Sequence, residues 1–121
     1  SSRKPYGEKE INYLSSLIDW THENNLDFHV TEMDYKIFGE VTKKKQSVQA
    51  DAYSNILKVL LSKRENGLVT FNTWGIVDRL GSHTDKSRFI FDLAGNPKPA
   101  YYAMREVLEE TTFKNKNTSD L

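Results

Sequence analysis

Side chains suited to a buried helix face recur along residues 8–25. They are Ile11, Leu14, Leu17, Ile18 and Thr21. This near-helical period, closed by the polar pair Asn24-Asn25, predicts one amphipathic helix. A second helix is predicted over residues 47–65, where one face carries Ala52, Ile56, Val59 and Leu60. Asn66-Gly67 should end it, because glycine accepts the left-handed conformation that a helix C-terminus often needs. The preceding segment, residues 36–46 with the basic run 43–45, is predicted to be a solvated connection.

Two short apolar runs, residues 28–35 and 68–71, are rich in β-branched and aromatic side chains and too short for helices. Both are predicted to be buried strands. Side chains alternate along a strand. We therefore expect one face to carry Phe28, Val30, Glu32 and Asp34, and the other to carry His29, Thr31 and Met33. On this alternation His29 should face the surrounding helices as a packed structural histidine.

The last part of the chain is predicted to begin with a charged loop, residues 78–88, and a brief extended piece, residues 89–91. Asn96-Pro97-Lys98-Pro99 then introduces a last helix, since proline fits the first helical position. From residue 112 the sequence turns polar. We expect residues 1–111 to form the folded part and residues 112–121 a disordered tail.

The predicted order is helix, strand, helix, strand, helix. Strands joined through helices pair in parallel and are covered on both faces. Two strands cannot form such a sheet alone, and a closed (β/α)₈ barrel takes about 250 residues. The expected fold class is therefore α/β: the C-terminal portion of a TIM barrel, about the last two βα units plus the preceding helix.

Composition narrows the possible partners. The chain has 121 residues, with 17 basic and 17 acidic side chains and no cysteine. A balanced charge creates no overall field towards nucleic acid or an anionic membrane. The sequence contains no stretch of about 20 apolar residues, no cluster with metal-ligand spacing and no phosphate-binding loop. We therefore expect no cofactor, no metal, no nucleic acid and no membrane.

The two carboxylates Glu32 and Asp34 stand where a buried strand should tolerate none. They lie at the C-terminal end of the first predicted strand. Catalytic groups of a parallel α/β barrel are carried at the C-terminal ends of its strands. This conflict between burial and charge points to chemistry at Glu32.

Four segments in order carry a resemblance to a known family. They are His29-Val30-Thr31-Glu32-Met33-Asp34, then Gln49-Ala50 with Tyr53, then Thr70-Phe71 with Trp74-Gly75 and Asp78, then Phe91-Asp92 with Asn96-Pro97-Lys98-Pro99-Ala100-Tyr101-Tyr102-Ala103. Together they resemble the C-terminal part of glycoside hydrolase family 10, the endo-β-1,4-xylanases. The threonine-glutamate-hydrophobic-aspartate signature is the most diagnostic piece.

The resemblance implies roles for individual residues. Glu32 would be the nucleophile of a retaining glycosidase, and Asp34 an acid that orients a histidine on an earlier strand. Trp74 would pack against the sugar, since a flat aromatic side chain suits the apolar face of a sugar ring. Where family members usually carry another tryptophan, this chain has Gly81-Ser82-His83. His83 could replace that contact or be an ordinary loop histidine. The alternatives are a solvated strand-end acid for Glu32, a loop cap for Asp34 and a core position for Trp74.

A retaining glycosidase needs a second carboxyl as its acid/base. The family places that glutamate after an asparagine at the end of the fourth strand, and this chain has no equivalent. We therefore expect xylan or a xylo-oligosaccharide as substrate and the remainder of the barrel, in the same or another chain, as partner. The isolated chain should be inactive. A related retaining β-1,4-glucanase, or a non-catalytic fragment with a sugar-binding or structural role, is the alternative. A polymeric substrate implies an extracellular or periplasmic protein.

Overall fold

The structure, a computed structural model, describes residues 6–79 and 87–119, with side chains described as far as Thr112. Its elements are α1 (Glu8–Glu23), β1 (Phe28–Met33), α2 (Lys43–Lys63), β2 (Val69–Thr73) and α3 (Pro99–Ser119). The predicted order of helices and strands is confirmed. β1 and β2 pair in parallel, as predicted for strands joined by a helix.

The core lies between the sheet and the helices. Its buried residues are Ile18, Met33, Ala50, Ala52, Tyr53, Ile56, Leu60 and Ala100. Phe28 and Val30 of β1 and Val69 and Phe71 of β2 pack against this cluster. One face of the two-stranded sheet is therefore covered by helices. Within the described residues, no element covers the other face.

A β-bulge interrupts β1 between Val30 and Met33. Before it, Val30 pairs with Phe71, and after it, Met33 pairs with Thr73, so β1 has one more residue than β2 over this stretch. An extra residue reverses the alternation beyond the bulge. The prediction that Phe28, Val30 and Glu32 share a face is therefore wrong. Met33, buried in the core, continues the face of Val30, and exposed Glu32 lies on the opposite one.

The prediction that His29 packs against the helices is also wrong. This residue is exposed, and its Nδ1 lies 2.8 Å from Oγ1 of Thr70, its pairing partner on β2. Since Phe28 and Val30 face the helices, His29 must point away from them. It is not a packed histidine.

Two helix bounds also differ from the sequence prediction. α2 begins at Lys43, so the basic run 43–45 forms its first turn rather than a loop. Thr42 makes this possible, because its side chain accepts a hydrogen bond of 3.2 Å from the Lys45 N–H. α3 continues to Ser119, into the segment for which we expected a disordered tail. No glycine or proline follows Pro99, so the sequence has no residue that breaks this helix.

Candidate functional site

The open face of the sheet, defined here by His29, Glu32, Thr70, Asn72 and Trp74, is the candidate site. These residues lie on the sheet face away from the helices, because in the paired strands they alternate with the residues that face the helices. Glu32 precedes Met33, and Trp74 follows Thr73, the partner of Met33. The bulge therefore brings the predicted nucleophile onto the same face as the predicted sugar-contacting tryptophan, at the C-terminal end of both strands.

Trp74 is held by its backbone and leaves its ring free. Its N–H donates a hydrogen bond of 2.9 Å to the carbonyl of Met33. The residue is 56% exposed in this chain. Next to it, Gly75 lies against the ring of Phe89, where a Cβ would come within 2.7 Å of that ring. A tightly packed backbone therefore positions an exposed aromatic ring.

A groove of about 390 Å³ runs along the edge of β1 that β2 does not occupy. It is lined by Tyr6, Glu10, Leu14, Val30, Thr31, Glu32, Met33, Asp34 and Ile56. The two acids of the strand end therefore border the same open space. Glu10, near the start of α1, is the third carboxylate of this groove.

Asp34 faces a cation rather than a histidine among the described residues. Its Oδ2 lies 3.7 Å from Nη1 of Arg88. The side chain of Asp34 is 38% exposed and that of Arg88 is 20% exposed, so water only partly screens the pair. Arg88 is not identifiable as a site residue from the sequence. No motif signals it, since it lies in the charged segment that we predicted as a loop.

Arg88 is held in place through its backbone. Its N–H donates a hydrogen bond of 2.9 Å to Asp78 Oδ1, and its carbonyl accepts one of 2.6 Å from the hydroxyl of Tyr53. The N–H of Tyr35 also donates to this carbonyl, at 3.3 Å. Residues of α2, of the strand end and of the loop after β2 thus converge on one position.

Asp78 is a structural anchor. Its carboxylate, buried, accepts hydrogen bonds from the backbone of Arg88 and Phe89 and from the side chains of Ser87 and Lys98. In the sequence, Asp78 is notable only as part of the third segment that resembles the family. Its bonding capacity is taken up within the fold, so it is not free to act on a substrate.

Buried side chains of α2 complete the support. Nε2 of Gln49 donates to the carbonyls of Tyr35 and Ser87, at 2.7 and 2.9 Å. Burial raises the pKa of Tyr53 well above its ordinary value, and the negative charges of Asp34 and Asp78 raise it further. Tyr53 therefore stays a neutral hydrogen-bond donor to Arg88.

His83, the fourth predicted site residue, lies outside the described residues. Over the part of the chain that the structure describes, no group of three or more histidine or acidic side chains is placed to hold a metal ion. None of the helices in that part is long and apolar enough to cross a membrane.

The chain resembles known proteins in sequence and in fold. A sequence model of glycosyl hydrolase family 10 matches residues 5–107. Endo-1,4-beta-xylanase B of Neocallimastix patriciarum is 30% identical over 109 residues, which are 85% of this chain and 12% of that protein. Native xylanase 10B from Thermotoga maritima superposes with a TM-score of 0.74 at 23% identity, covering 86% of this chain and 33% of that one.

Xylanase 10B from Thermotoga petrophila RKU-1, solved in complex with xylobiose, is a further structural neighbour. Its TM-score is 0.71 at 24% identity, over 83% of this chain and 32% of that one. The chain therefore spans about a third of the length of these solved structures, and a smaller part of the curated relative.

Proposed function

The chain belongs to glycosyl hydrolase family 10, and from this membership we propose that it supplies the nucleophile-bearing part of a retaining endo-1,4-β-xylanase. The solved neighbours establish its fold as an α/β fragment of a TIM barrel. In the proposal the fragment is the C-terminal portion of that barrel, about the last two βα units and the preceding helix.

Glu32 carries the chemistry of this proposal. In a retaining glycosidase one carboxylate attacks the anomeric carbon and forms a glycosyl-enzyme. A second carboxyl, about 5–5.5 Å away, protonates the leaving oxygen and later activates water. The supporting observation is the bulge of β1, which places exposed Glu32 on the open face with Trp74. The second carboxyl would come from the remainder of the barrel.

Unoccupied surfaces support the proposal that more of a barrel packs against this chain. The edge of β1 away from β2 borders the groove of about 390 Å³. On α1 a stripe of apolar side chains, Tyr13, Leu17 and Trp20, is exposed. These residues are spaced three and four apart and lie on one face of the helix. A further strand beside β1 and a further helix beside α1 would cover both surfaces.

Xylan is the proposed substrate. The structure of the Thermotoga petrophila neighbour contains xylobiose, and Trp74 offers this chain a flat apolar surface for a sugar ring. A related β-1,4-glucanase is the alternative within enzymes, and comparing hydrolysis of xylan and carboxymethyl-cellulose separates the two. A polymer too large to enter a cell also supports an extracellular or periplasmic location.

A non-catalytic fragment is the alternative outside enzymes. It is favoured by Gly81-Ser82-His83, which stands where family members usually carry another tryptophan. On either reading, the 121 residues alone should release no sugar from xylan, because one carboxylate cannot serve both steps.

Substituting Glu32 in the complete barrel that contains this chain tests the proposed role. Glu32→Ala should leave no measurable xylan hydrolysis while xylan binding persists. Glu40→Ala, at another exposed acid, serves as the matched control and should retain full activity. Hydrolysis that survives Glu32→Ala would refute the assignment.

A further inference from the structure

Arg88 combines a tightly fixed backbone with a side chain that reaches Asp34. Its N–H donates a hydrogen bond to Asp78, and its carbonyl accepts one from Tyr53 and one from Tyr35. None of these bonds uses the guanidinium group. Truncating the side chain therefore leaves the anchoring bonds of the backbone intact.

The guanidinium lies beside Asp34. The 3.7 Å between Nη1 and Oδ2 is longer than the 2.7–2.9 Å typical of a charge-assisted hydrogen bond. The pair thus interacts mainly through charge. Nε of Arg88 is buried and has no hydrogen-bond partner among the described residues. A buried donor without a partner costs free energy, so packing alone does not explain an arginine here.

Asp34 connects this cation to the proposed nucleophile. Asp34 and Glu32 border the same groove and are two positions apart in the sequence. The ion pair engages Oδ2 of Asp34 and so restrains the orientation of its carboxylate.

We propose that Arg88 is a positioning residue of the glycosidase site, which holds the Asp34 carboxylate oriented at the strand end that it shares with Glu32. This inference rests on the proposed function. Arg88 touches no substrate in the proposal and acts only through Asp34. Its contribution should therefore disappear when Asp34 can no longer carry a charge.

A double-mutant cycle on xylan hydrolysis by the complete barrel tests this dependence. Arg88→Met should lower kcat about tenfold and change KM less than about twofold, a size typical of coupled neighbours. Arg88→Lys should restore most of the activity. In an Asp34→Asn background, Arg88→Met should change kcat less than about twofold. Arg105→Met is the matched control, since Arg105 pairs with Glu109 on the surface of α3 and should leave kcat unchanged.

Each outcome bears on one claim. If Arg88→Met lowers kcat equally with and without Asp34→Asn, Arg88 does not act through Asp34 and the inference fails. If Arg88→Met lowers the urea midpoint of the complete barrel and the loss of activity follows its unfolded fraction, the role of Arg88 is structural and the inference also fails. Unsubstituted protein that releases no sugar from xylan would refute the proposed function itself, and the inference with it.

Discussion

Lys98 donates a hydrogen bond of 2.8 Å to Asp78, and their side chains are only 2% and 8% exposed. The same Nζ donates to Ser87 Oγ at 2.6 Å. The pair joins the loop after β2 to the residue that precedes α3. Asp78 also accepts hydrogen bonds from the N–H groups of Arg88 and Phe89. This buried ion pair therefore fixes the position of Arg88 near the candidate site.

Breaking this pair should destabilise the chain strongly. Asp78→Ala leaves the ammonium group of Lys98 buried without its counter-charge, which typically costs about 3–5 kcal/mol. Urea unfolding of the 121-residue chain, followed by circular dichroism, measures the loss. Arg105→Ala removes the exposed pair with Glu109 and should leave the midpoint nearly unchanged. A similar, small effect of both substitutions would contradict the anchoring role of Asp78.

The close approach of Gly67 to His22 gives a second prediction. A Cβ at residue 67 would come within 2.5 Å of the His22 ring, which a 3.0 Å hydrogen bond from Nε2 to the carbonyl of Leu68 holds in place. Gly67→Ala should therefore cost about 1–3 kcal/mol of unfolding free energy.

A second variant shows whether the clash is the cause. In a His22→Ala background the obstructing ring is gone, so Gly67→Ala should cost much less there than in the wild type. Thermal or urea unfolding of the four proteins gives the coupling. Equal costs in the two backgrounds would show that Gly67 is needed for another reason.

Tyr53 predicts an alkaline limit to stability. Its pKa is raised in the folded chain, first by burial, so the folded state keeps the hydroxyl proton after an unfolded chain has released it. The stabilisation is fully present below pH 10.0, the ordinary tyrosine pKa, and is lost as the pH rises above it. Unfolding free energies measured between pH 8 and about 11 should fall at the alkaline end.

The matched variant is Tyr53→Phe, which removes the ionisable group together with its bond to Arg88. It should cost about 0.5–1.5 kcal/mol at pH 8 and weaken the alkaline decline. Part of the decline should remain, since burial also raises the pKa of Tyr35. An unchanged alkaline decline in Tyr53→Phe would refute this assignment.

Trp74 should contribute to sugar binding. In the complete barrel, Trp74→Ala removes a flat apolar surface and should weaken binding of xylo-oligosaccharides about tenfold, or roughly 1.4 kcal/mol. Trp74→Phe should retain part of the affinity. Titration calorimetry with xylotriose measures both. Tyr102→Ala, at an exposed aromatic residue on α3, is the control, and an equal loss there would argue against a specific role of Trp74.

The sequence predicts the helices and strands well because their patterns are local. Apolar spacing marks α1 and α2, the β-branched runs mark β1 and β2, and Pro99 marks the start of α3. Features that depend on pairing between distant segments leave no local pattern in the sequence. The bulge in β1 depends on how β1 and β2 pair, and it moved Glu32 off the face that simple alternation assigned to it. His29 precedes the bulge, and its prediction failed because alternation alone does not say which face of a strand the helices cover.

The residues of the candidate site were also only partly predictable from the sequence. Glu32 was identifiable because a carboxylate conflicts with a strand pattern, and the motif it belongs to resembles a known family. Arg88 was not identifiable from the sequence. Its proximity to Asp34 arises from hydrogen bonds to Asp78, Tyr53 and Tyr35, which lie far apart along the chain. A charged residue in a predicted loop carries no local sign of such a position.

The central claim is that Glu32 is the nucleophile of a retaining xylanase. The complete barrel containing this chain can be treated with a 2-fluoro-xylobioside bearing a good leaving group, which forms the glycosyl-enzyme and slows its hydrolysis. Peptide mass spectrometry then locates the sugar. One 2-fluoro-xylobiosyl group is expected on the peptide that contains Glu32, and none in Glu32→Ala. A label on a different carboxylate, or xylan hydrolysis that inverts the anomeric centre without any label, would contradict it.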